Sequence, residues 1–306
     1  MAWEFVHEPV MVGEVLALLA PVPAGLMVDA TVGGGGHAAA LLGARPDLRL
    51  LGLDRDPDAV AAARRRLAPF DERTEVRHAR FSELGEQVEG PVSGVLLDLG
   101  VSSPQLDLAG RGFSYRRDAA LDMRMDPTAG RTAGELVNEA PLAALARLFA
   151  ANGEGRFAGR IARAVVAARP IATTGQLADV VARAVPAAVR RRGHPARRVF
   201  QALRIAVNEE LDELAAALPV ALGLLVLGGR CVVIAYHSGE DRLVKRAFTD
   251  AVRGGCTCPP ALPCVCGARP EHRLVFAGAR KPSAAELAWN HRAESARMRV
   301  IERVAP

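Results

Sequence analysis

The chain has 306 residues, half of them hydrophobic, with a net charge of +5 and five cysteines. That length buries one large core or two moderate ones, and the longest apolar run, Leu218 to Leu227, is interrupted by Pro219 and too short to span a bilayer. Met1-Ala2-Trp3-Glu4-Phe5-Val6-His7 lacks the basic-then-apolar pattern of a secretory leader, and an odd cysteine count with four near the C-terminus is no disulfide framework, so a two-domain cytoplasmic protein away from membranes is expected.

Pro9 to Ala20 has helical periodicity, with Val10, Met11, Val15, Leu18 and Leu19 apolar and Pro21 as a stop. Leu26-Met27-Val28-Asp29 reads as a buried strand ending in an acid, followed by Ala30-Thr31-Val32 and the run Gly33-Gly34-Gly35-Gly36-His37. Four successive glycines forfeit side-chain packing and cost backbone entropy, so the loop is expected to allow close backbone approach to a ligand at a helix N-terminus. After a crossover helix starting at Ala38 to Leu42, Leu50-Leu51-Gly52-Leu53-Asp54 forms a second strand with a carboxylate at its tip, where doubly wound nucleotide folds hold ribose hydroxyls. Asp56-Pro57-Asp58 starts the next helix, with Asp56 as cap and Pro57 in the first helical position; it ends near Leu67. A third strand at Glu75 to His78 closes on Ala79-Arg80-Phe81-Ser82, and a fourth, Val92 to Leu99, carries Asp98 at its end. This alternation predicts an α/β architecture with a mostly parallel, doubly wound sheet.

The pattern changes after residue 103. Between Pro104 and Arg198 only short helical segments are evident, at Pro141 to Ala151, Arg156 to Arg169 and Thr174 to Val185 with Thr174 as cap. Residues 104–198 therefore read as a helical domain inserted between two parts of the sheet domain, 1–103 and 199–306. From Pro104 to Asn208 there are 17 Arg, no Lys and 8 acidic residues, a net +9, which leaves −4 for the rest. A basic middle flanked by acidic parts predicts contact with a polyanion, and Arg190, Arg191, Arg192, Arg197 and Arg198 are candidates for phosphate contacts. The alternative is that these arginines only solvate helix faces. A long helix is expected from Ala196 to Leu218, with Val199, Leu203, Val207, Leu211 and Leu214 on one face. A turn at Gly228-Gly229-Arg230, a fifth strand at Cys231 to Tyr236 and a helix after His237-Ser238-Gly239-Glu240-Asp241-Arg242 follow, and Leu274 to Phe276 pairs antiparallel with Met298 to Glu302.

The glycine loop alone leaves two ligands open. Gly33, Gly35 and Ala38 satisfy the GxGxxA dinucleotide fingerprint, so a nicotinamide-dependent dehydrogenase competes. Acids at several strand tips suit S-adenosyl-L-methionine better, since its amino acid end, ribose and sulfonium all want polar partners. Ser102-Ser103-Pro104-Gln105 adds a possible acceptor site. An exocyclic amine of a nucleobase is a poor nucleophile because its lone pair is delocalised into the ring; acceptors fixed by a proline turn hold its hydrogens and localise that pair. Ser102, Ser103 and the carbonyls before Pro104 are the candidate catalytic groups, in a pattern similar to the Ser-Pro-Pro or Asp-Pro-Pro loops of amino-methylating nucleic-acid enzymes, with Gln105 for the second proline. The plain alternative is that Ser-Ser-Pro merely ends a strand.

Taken together, Gly33 to His37, Leu53-Asp54-Arg55-Asp56-Pro57, Asp98-Leu99-Gly100-Val101-Ser102-Ser103-Pro104-Gln105-Leu106-Asp107, Arg111-Gly112-Phe113-Ser114, Leu121-Asp122-Met123-Arg124-Met125-Asp126, His194-Pro195-Ala196-Arg197-Arg198 and His237-Ser238 with Glu240-Asp241-Arg242 resemble the bacterial small-subunit ribosomal RNA cytosine-N4 methyltransferases, the RsmH or MraW family. The resemblance covers nearly the whole chain. It implies a class I (Rossmann-like) methyltransferase fold with an inserted helical domain, S-adenosyl-L-methionine as donor, and a cytosine in the decoding region of 16S ribosomal RNA in the small ribosomal subunit as acceptor, with a homodimer left open. By the same resemblance Gly35, Gly36, His37, Asp54, Phe81, Asp98 and Gln105 are the donor contacts, Phe81 as the residue that packs on adenine. The chain departs from the family where Gly155 replaces a second acid, Gly239 a Leu, and Asn290-His291-Arg292-Ala293-Glu294-Ser295 the usual Asn-Pro-Arg-Ala-Arg-Ser. A ribosome-binding factor without turnover is the remaining alternative.

Cys256-Thr257-Cys258 and Cys264-Val265-Cys266 have thiols enough for Zn²⁺, but paired CxC spacing is less diagnostic than paired CxxC, and the resemblance implies no metal. An exposed loop near the RNA is the expectation. His194 and His237 lie in family-like motifs, either as RNA contacts or as capped structural residues.

Overall fold

The computed structural model describes residues 9–190, 194–258 and 265–305; Arg191, Arg192, Cys264 and the side chain of Arg190 lie outside the described residues. The chain forms two compact units, Met1–Gly100 with Leu211–Pro306, and Val101–Glu210. In the first, α1 (Val12–Leu19), β1 (Gly25–Asp29), α2 (Gly36–Ala44), β2 (Leu48–Asp54), α3 (Pro57–Leu67), β3 (Thr74–His78), α4 (Leu84–Gln87) and β4 (Val92–Asp98) follow one another. The second contains α5 (Ser103–Asp107), α6 (Ala133–Glu139), α7 (Leu142–Phe149), α8 (Ala158–Ala167), α9 (Thr174–Ala184), α10 (Ala187–Arg190) and α11 (Ala196–Val207). The chain continues through α12 (Glu210–Leu224), β5 (Leu225–Ala235), α13 (Ser238–Arg253), β6 (His272–Leu274), α14 (Ala284–Trp289) and β7 (Arg297–Arg303). Among the described residues no helix is long and apolar enough to cross a membrane.

The sheet order is β3-β2-β1-β4-β5-β7-β6. Strands β1 to β5 pair in parallel, and β7 runs antiparallel between β5 and β6. Successive strand residues point to opposite faces, so each apolar strand feeds two layers. Met27, Leu50, Leu96, Val232 and Ile234 pack on one side with Val15 and Leu19 of α1 and Leu41 of α2. Val28, Leu51, Leu97 and Val233 pack on the other with Leu214 and Leu218 of α12 and Phe248 of α13. The sheet is thus doubly wound. It reverses direction at β1, with β2 on one side and β4 on the other, the point at which open α/β sheets leave a ligand crevice beyond the carboxyl ends of their strands.

The helical unit has its own core, in which Phe149 of α7, Ile161 and Val165 of α8, Leu177 and Val181 of α9, and Val199, Phe200 and Leu203 of α11 are buried together. Because α11 supplies that core, the unit extends beyond the 104–198 read from sequence. Its arginines divide. Arg156, Arg160 and Arg163 are exposed, as are Arg197 and Arg198. Others work internally: Arg169 donates to the carbonyls of Val137 and Ala140, Arg111 to that of Met125, and Arg204 pairs with Glu210. The basic surplus is therefore only partly a surface property.

Three expected details differ. The cap of α9 is Thr173, whose hydroxyl accepts from Gln176 N, while Thr174 is buried and bonds Arg117 O and Ala119 N. The expected helix from Ala196 to Leu218 is two helices, broken where Asn208 turns its side chain to the backbone of Met123 and Met125 and Glu209 adopts φ 53°. Gly228-Gly229-Arg230 is no turn but part of β5, inside a bulge whose pairing with β4 slips between Val92 and Gly94. A side chain at Gly229 would meet Val226 O at 2.9 Å and Ser93 O at 3.1 Å.

Candidate active site

Asp29, Asp54 and Asp98 end β1, β2 and β4, three adjacent parallel strands, so their carboxylates emerge at one edge of the sheet. Asp54 accepts from Gly33 N (2.8 Å) and Asp56 N (2.9 Å), which ties the glycine loop to β2. Burial pushes its carboxyl up to about 6 even against those two backbone donors. Asp29 is 1% exposed and accepts only a long bond from Thr31 N, 3.3 Å. Burial raises it to about 8, and the charges of Asp98 and Asp54 add to the effect, so it is largely protonated at neutral pH.

Asp98 is held from three directions. Its N–H donates to Thr31 Oγ1 (2.6 Å), Tyr236 Oη donates to its Oδ1 (2.8 Å), and His37 Nδ1 lies 3.7 Å from its Oδ2. This last approach is not an ion pair, because burial lowers His37 to about 4 and leaves the ring neutral. Nε2 sits 2.9 Å from Val10 O and so carries the ring proton, which leaves Nδ1 as an acceptor facing the Asp98 carboxylate. Burial first, and then Asp98, raises the Tyr236 phenol well above its ordinary value, so it stays a donor.

The glycine loop is explained in part by packing, contrary to the expectation from sequence. Gly35, at φ +76°, would place a Cβ 3.3 Å from Ala63 Cα and 3.4 Å from Leu67 Cγ of α3; at Gly36 it would meet Pro9 Cγ at 2.8 Å. These two residues let α2 start hard against α3 and the N-terminal segment, with their side-chain positions filled by protein. Phe81 is half-buried just beyond β3 and packs on the Leu53 and Ala79 side of the core. Gly35, Gly36, His37, Asp54 and Asp98 thus share one sheet edge, with Phe81 past the tip of its outer strand.

Ser102, Ser103, Pro104 and Gln105 belong to the helical unit and form the first turn of α5. Ser102 N donates to Gln105 Oε1 (3.0 Å) and Gln105 N to Ser102 Oγ (3.5 Å), a reciprocal capping box with Pro104 inside it. Ser103, Pro104 and Gln105 are buried. His237 is the N-cap of α13, accepting from Gly239 N and Glu240 N; His194 stacks on Tyr115 at 4.5 Å and accepts from Ala196 N. Both have structural work.

Sequence reasoning missed Thr31 and Tyr236. The signal for Tyr236 was its position: β5 pairs with β4 so that Ile234 lies opposite Asp98, which puts a tyrosine two residues later at the acid's own edge.

Residues 4–304 match the MraW methylase family. The chain belongs to that family. It is 52% identical over 309 residues to the ribosomal RNA small subunit methyltransferase H of Thermobifida fusca (strain YX), covering 97% of this chain and 93% of that one. It is 48% identical over 311 residues to the protein of the same name from Heliobacterium modesticaldum, with 98% and 99% covered. As a member of the MraW methylase family it is an S-adenosyl-L-methionine-dependent methyltransferase of class I, Rossmann-like fold. The site fits that donor: clustered carboxylates and a neutral imidazole suit a ligand bearing sulfonium, ammonium and hydroxyl groups.

Proposed function

We propose that this chain transfers a methyl group from S-adenosyl-L-methionine to the N4 amine of a cytosine in the decoding region of 16S ribosomal RNA, acting on the small ribosomal subunit in the cytoplasm. The observation that carries the reading is the acid-rich edge, where Asp29, Asp54 and Asp98 stand together at the tips of the adjacent parallel strands β1, β2 and β4 and suit a ligand bearing cationic and hydroxyl groups. Its relatives bear the name ribosomal RNA small subunit methyltransferase H, which supports the choice of acceptor.

When bound, the donor supplies a methyl group on a positively charged sulfur. We assign the donor contacts to Gly35, Gly36, His37, Asp54, Phe81 and Asp98, with Gln105 from the helical unit. Asp54 takes the ribose hydroxyls, because its carboxylate stands at the tip of β2 with backbone donors fixing its orientation. His37 Nδ1 and Asp98 accept from the amino acid end. Phe81 offers a half-buried ring to adenine.

The acceptor side is the turn at Ser102, Ser103 and Pro104, four to six residues along the chain from Asp98. Its oxygens hold the hydrogens of the cytosine amine and localise the nitrogen lone pair, which then forms the bond to the methyl carbon as the sulfur–carbon bond breaks. The amine proton leaves to solvent or a nearby acceptor. An exocyclic nitrogen attacks directly, so no cysteine adduct is required. The flipped or unpaired base is delivered by RNA bound along the arginine-bearing helical unit.

The test is incorporation of labelled methyl from S-adenosyl-L-methionine into small subunits from cells lacking this protein. Label enters the small-subunit RNA with the purified chain and is lost with Ser102→Ala and Pro104→Ala combined. No incorporation overturns the reading; a full rate in the double variant removes the turn from the mechanism.

A further inference from the structure

Outside the methyl-transfer site, the segment between α13 and β6, residues 254–271, has no helix or strand among its described residues. Its base is closed. Gly254, at φ +56°, caps α13 by donating to Asp250 O and Ala251 O, and a side chain there would sit 2.7 Å from Pro270 Cα.

Cys256, Cys258 and Cys266 bring their sulfur atoms within 4.8 Å of one another. Cys256 Sγ and Cys266 Sγ are 3.5 Å apart, and no disulfide joins the three cysteines. A disulfide requires about 2.05 Å. Thiolates on one tetrahedral zinc, with metal–sulfur bonds of about 2.3 Å, stand about 3.8 Å from each other.

Apolar packing does not account for this convergence. Cys256 and Cys258 are only partly buried, Cys266 is exposed, and Val265 between the thiols is 89% exposed. Free cysteines that serve as small hydrophobes are buried, as Cys231 is in β5. Here the apolar valine faces water while three sulfurs turn towards one point. Two further features fit a metal. Val265 N donates to Cys258 Sγ at 3.4 Å, a bond that favours the thiolate, and Gly267 directly after Cys266 is left-handed at φ +72°, which lets the backbone fold back around its sulfur.

The geometry points to a structural zinc site in which the thiolates of Cys256, Cys258 and Cys266 take three of the four tetrahedral positions. Soft sulfur donors within 4.8 Å of one another select Zn²⁺ over harder divalent ions. The ion ties Cys256 and Cys258 to Cys266, as Gly254 against Pro270 closes the base, and plays no part in methyl transfer.

The experiment uses the full chain purified under reducing conditions without chelator. Zinc is measured by plasma mass spectrometry in wild type, Cys256→Ser and Cys258→Ser, and the metal-stripped wild type is titrated with Co²⁺. Stoichiometric zinc in wild type, lost from both variants at unchanged far-ultraviolet circular dichroism, is expected. The cobalt form is expected to show sulfur-to-metal charge transfer and the intense visible bands of a tetrahedral thiolate site. The cobalt spectrum needs no variant, so it decides even where a substitution fails to fold. Wild type with neither zinc nor cobalt–thiolate bands, both variants retaining full zinc, or a reduced mass short by two hydrogens from a Cys256–Cys266 disulfide, overturns the site.

Discussion

The acid-rich sheet edge and the first turn of α5 hold their polar groups in opposite ways. At the edge, Asp29 has one long backbone bond and two acidic neighbours, while a neutral His37 lies beside Asp98. At α5, Ser102 and Gln105 exchange bonds with each other's backbone, and the turn is complete as it stands. The first arrangement costs stability through the burial of an acid. The second is a rigid frame whose remaining oxygens can be offered to an acceptor without rearrangement. A related contrast separates the two units: acids gather at the sheet edge, whereas exposed arginines dot α8 and α11 of the helical unit. Donor and acceptor differ in charge in the same sense.

The contrast breaks most severely at Asp54. Asp54→Ala removes the acceptor that anchors Gly33 N, and affinity for S-adenosylhomocysteine in calorimetry is expected to fall about 100-fold, as loss of bonds to a charged group implies. Wild-type affinity in that variant would show that the edge is not the donor site. Next comes the helical unit: Arg197→Ala with Arg198→Ala should weaken RNA binding at low salt and reduce the slope of log affinity against log salt by about 1.5 for two lost phosphate contacts, leaving donor affinity unchanged. An unchanged slope makes these arginines mere solvation.

Tyr236→Phe strips Asp98 of its phenol donor. A stability loss of about 1.5 kcal/mol is expected in urea unfolding, together with a severalfold weaker donor. The last effect is the sharpest in sign. Asp29 binds its proton more tightly folded than unfolded, so between 3.8 and about 8 the folded chain holds more protons, and its stability falls as pH rises through that window. Asp29→Asn keeps a neutral acceptor for Thr31 N. Its melting temperature should match wild type at the acid end of the window and exceed it increasingly toward the alkaline end; parallel curves would place the ionised carboxylate of Asp29 in a solvated setting.

Much of this was legible in the residues, for physical reasons. Asp56-Pro57-Asp58 states a helix start locally, and Asp56 does accept from Asp58 N. Apolar strands ending in acids announce parallel strand tips, because a fully buried run followed by a carboxylate has few other homes. Features set by distant partners were hidden. Nothing near Asn208 says that Met123 and Met125 will claim its side chain and break a helix, and Thr174 looks as good a cap as Thr173 until Arg117 and Ala119 are placed beside it. The four glycines misled for the same reason: Gly35 and Gly36 answer to Ala63, Leu67 and Pro9, residues that only the fold brings to them. Tyr236 escaped notice because its bond to Asp98 spans two strands.

The most direct test of the whole account is to hydrolyse the RNA of small subunits methylated by the purified chain and identify the modified nucleoside by mass spectrometry. N4-methylated cytidine, appearing only with active protein and S-adenosyl-L-methionine, is the predicted result; methyl on a ring carbon, on a ribose or on another base would contradict the account.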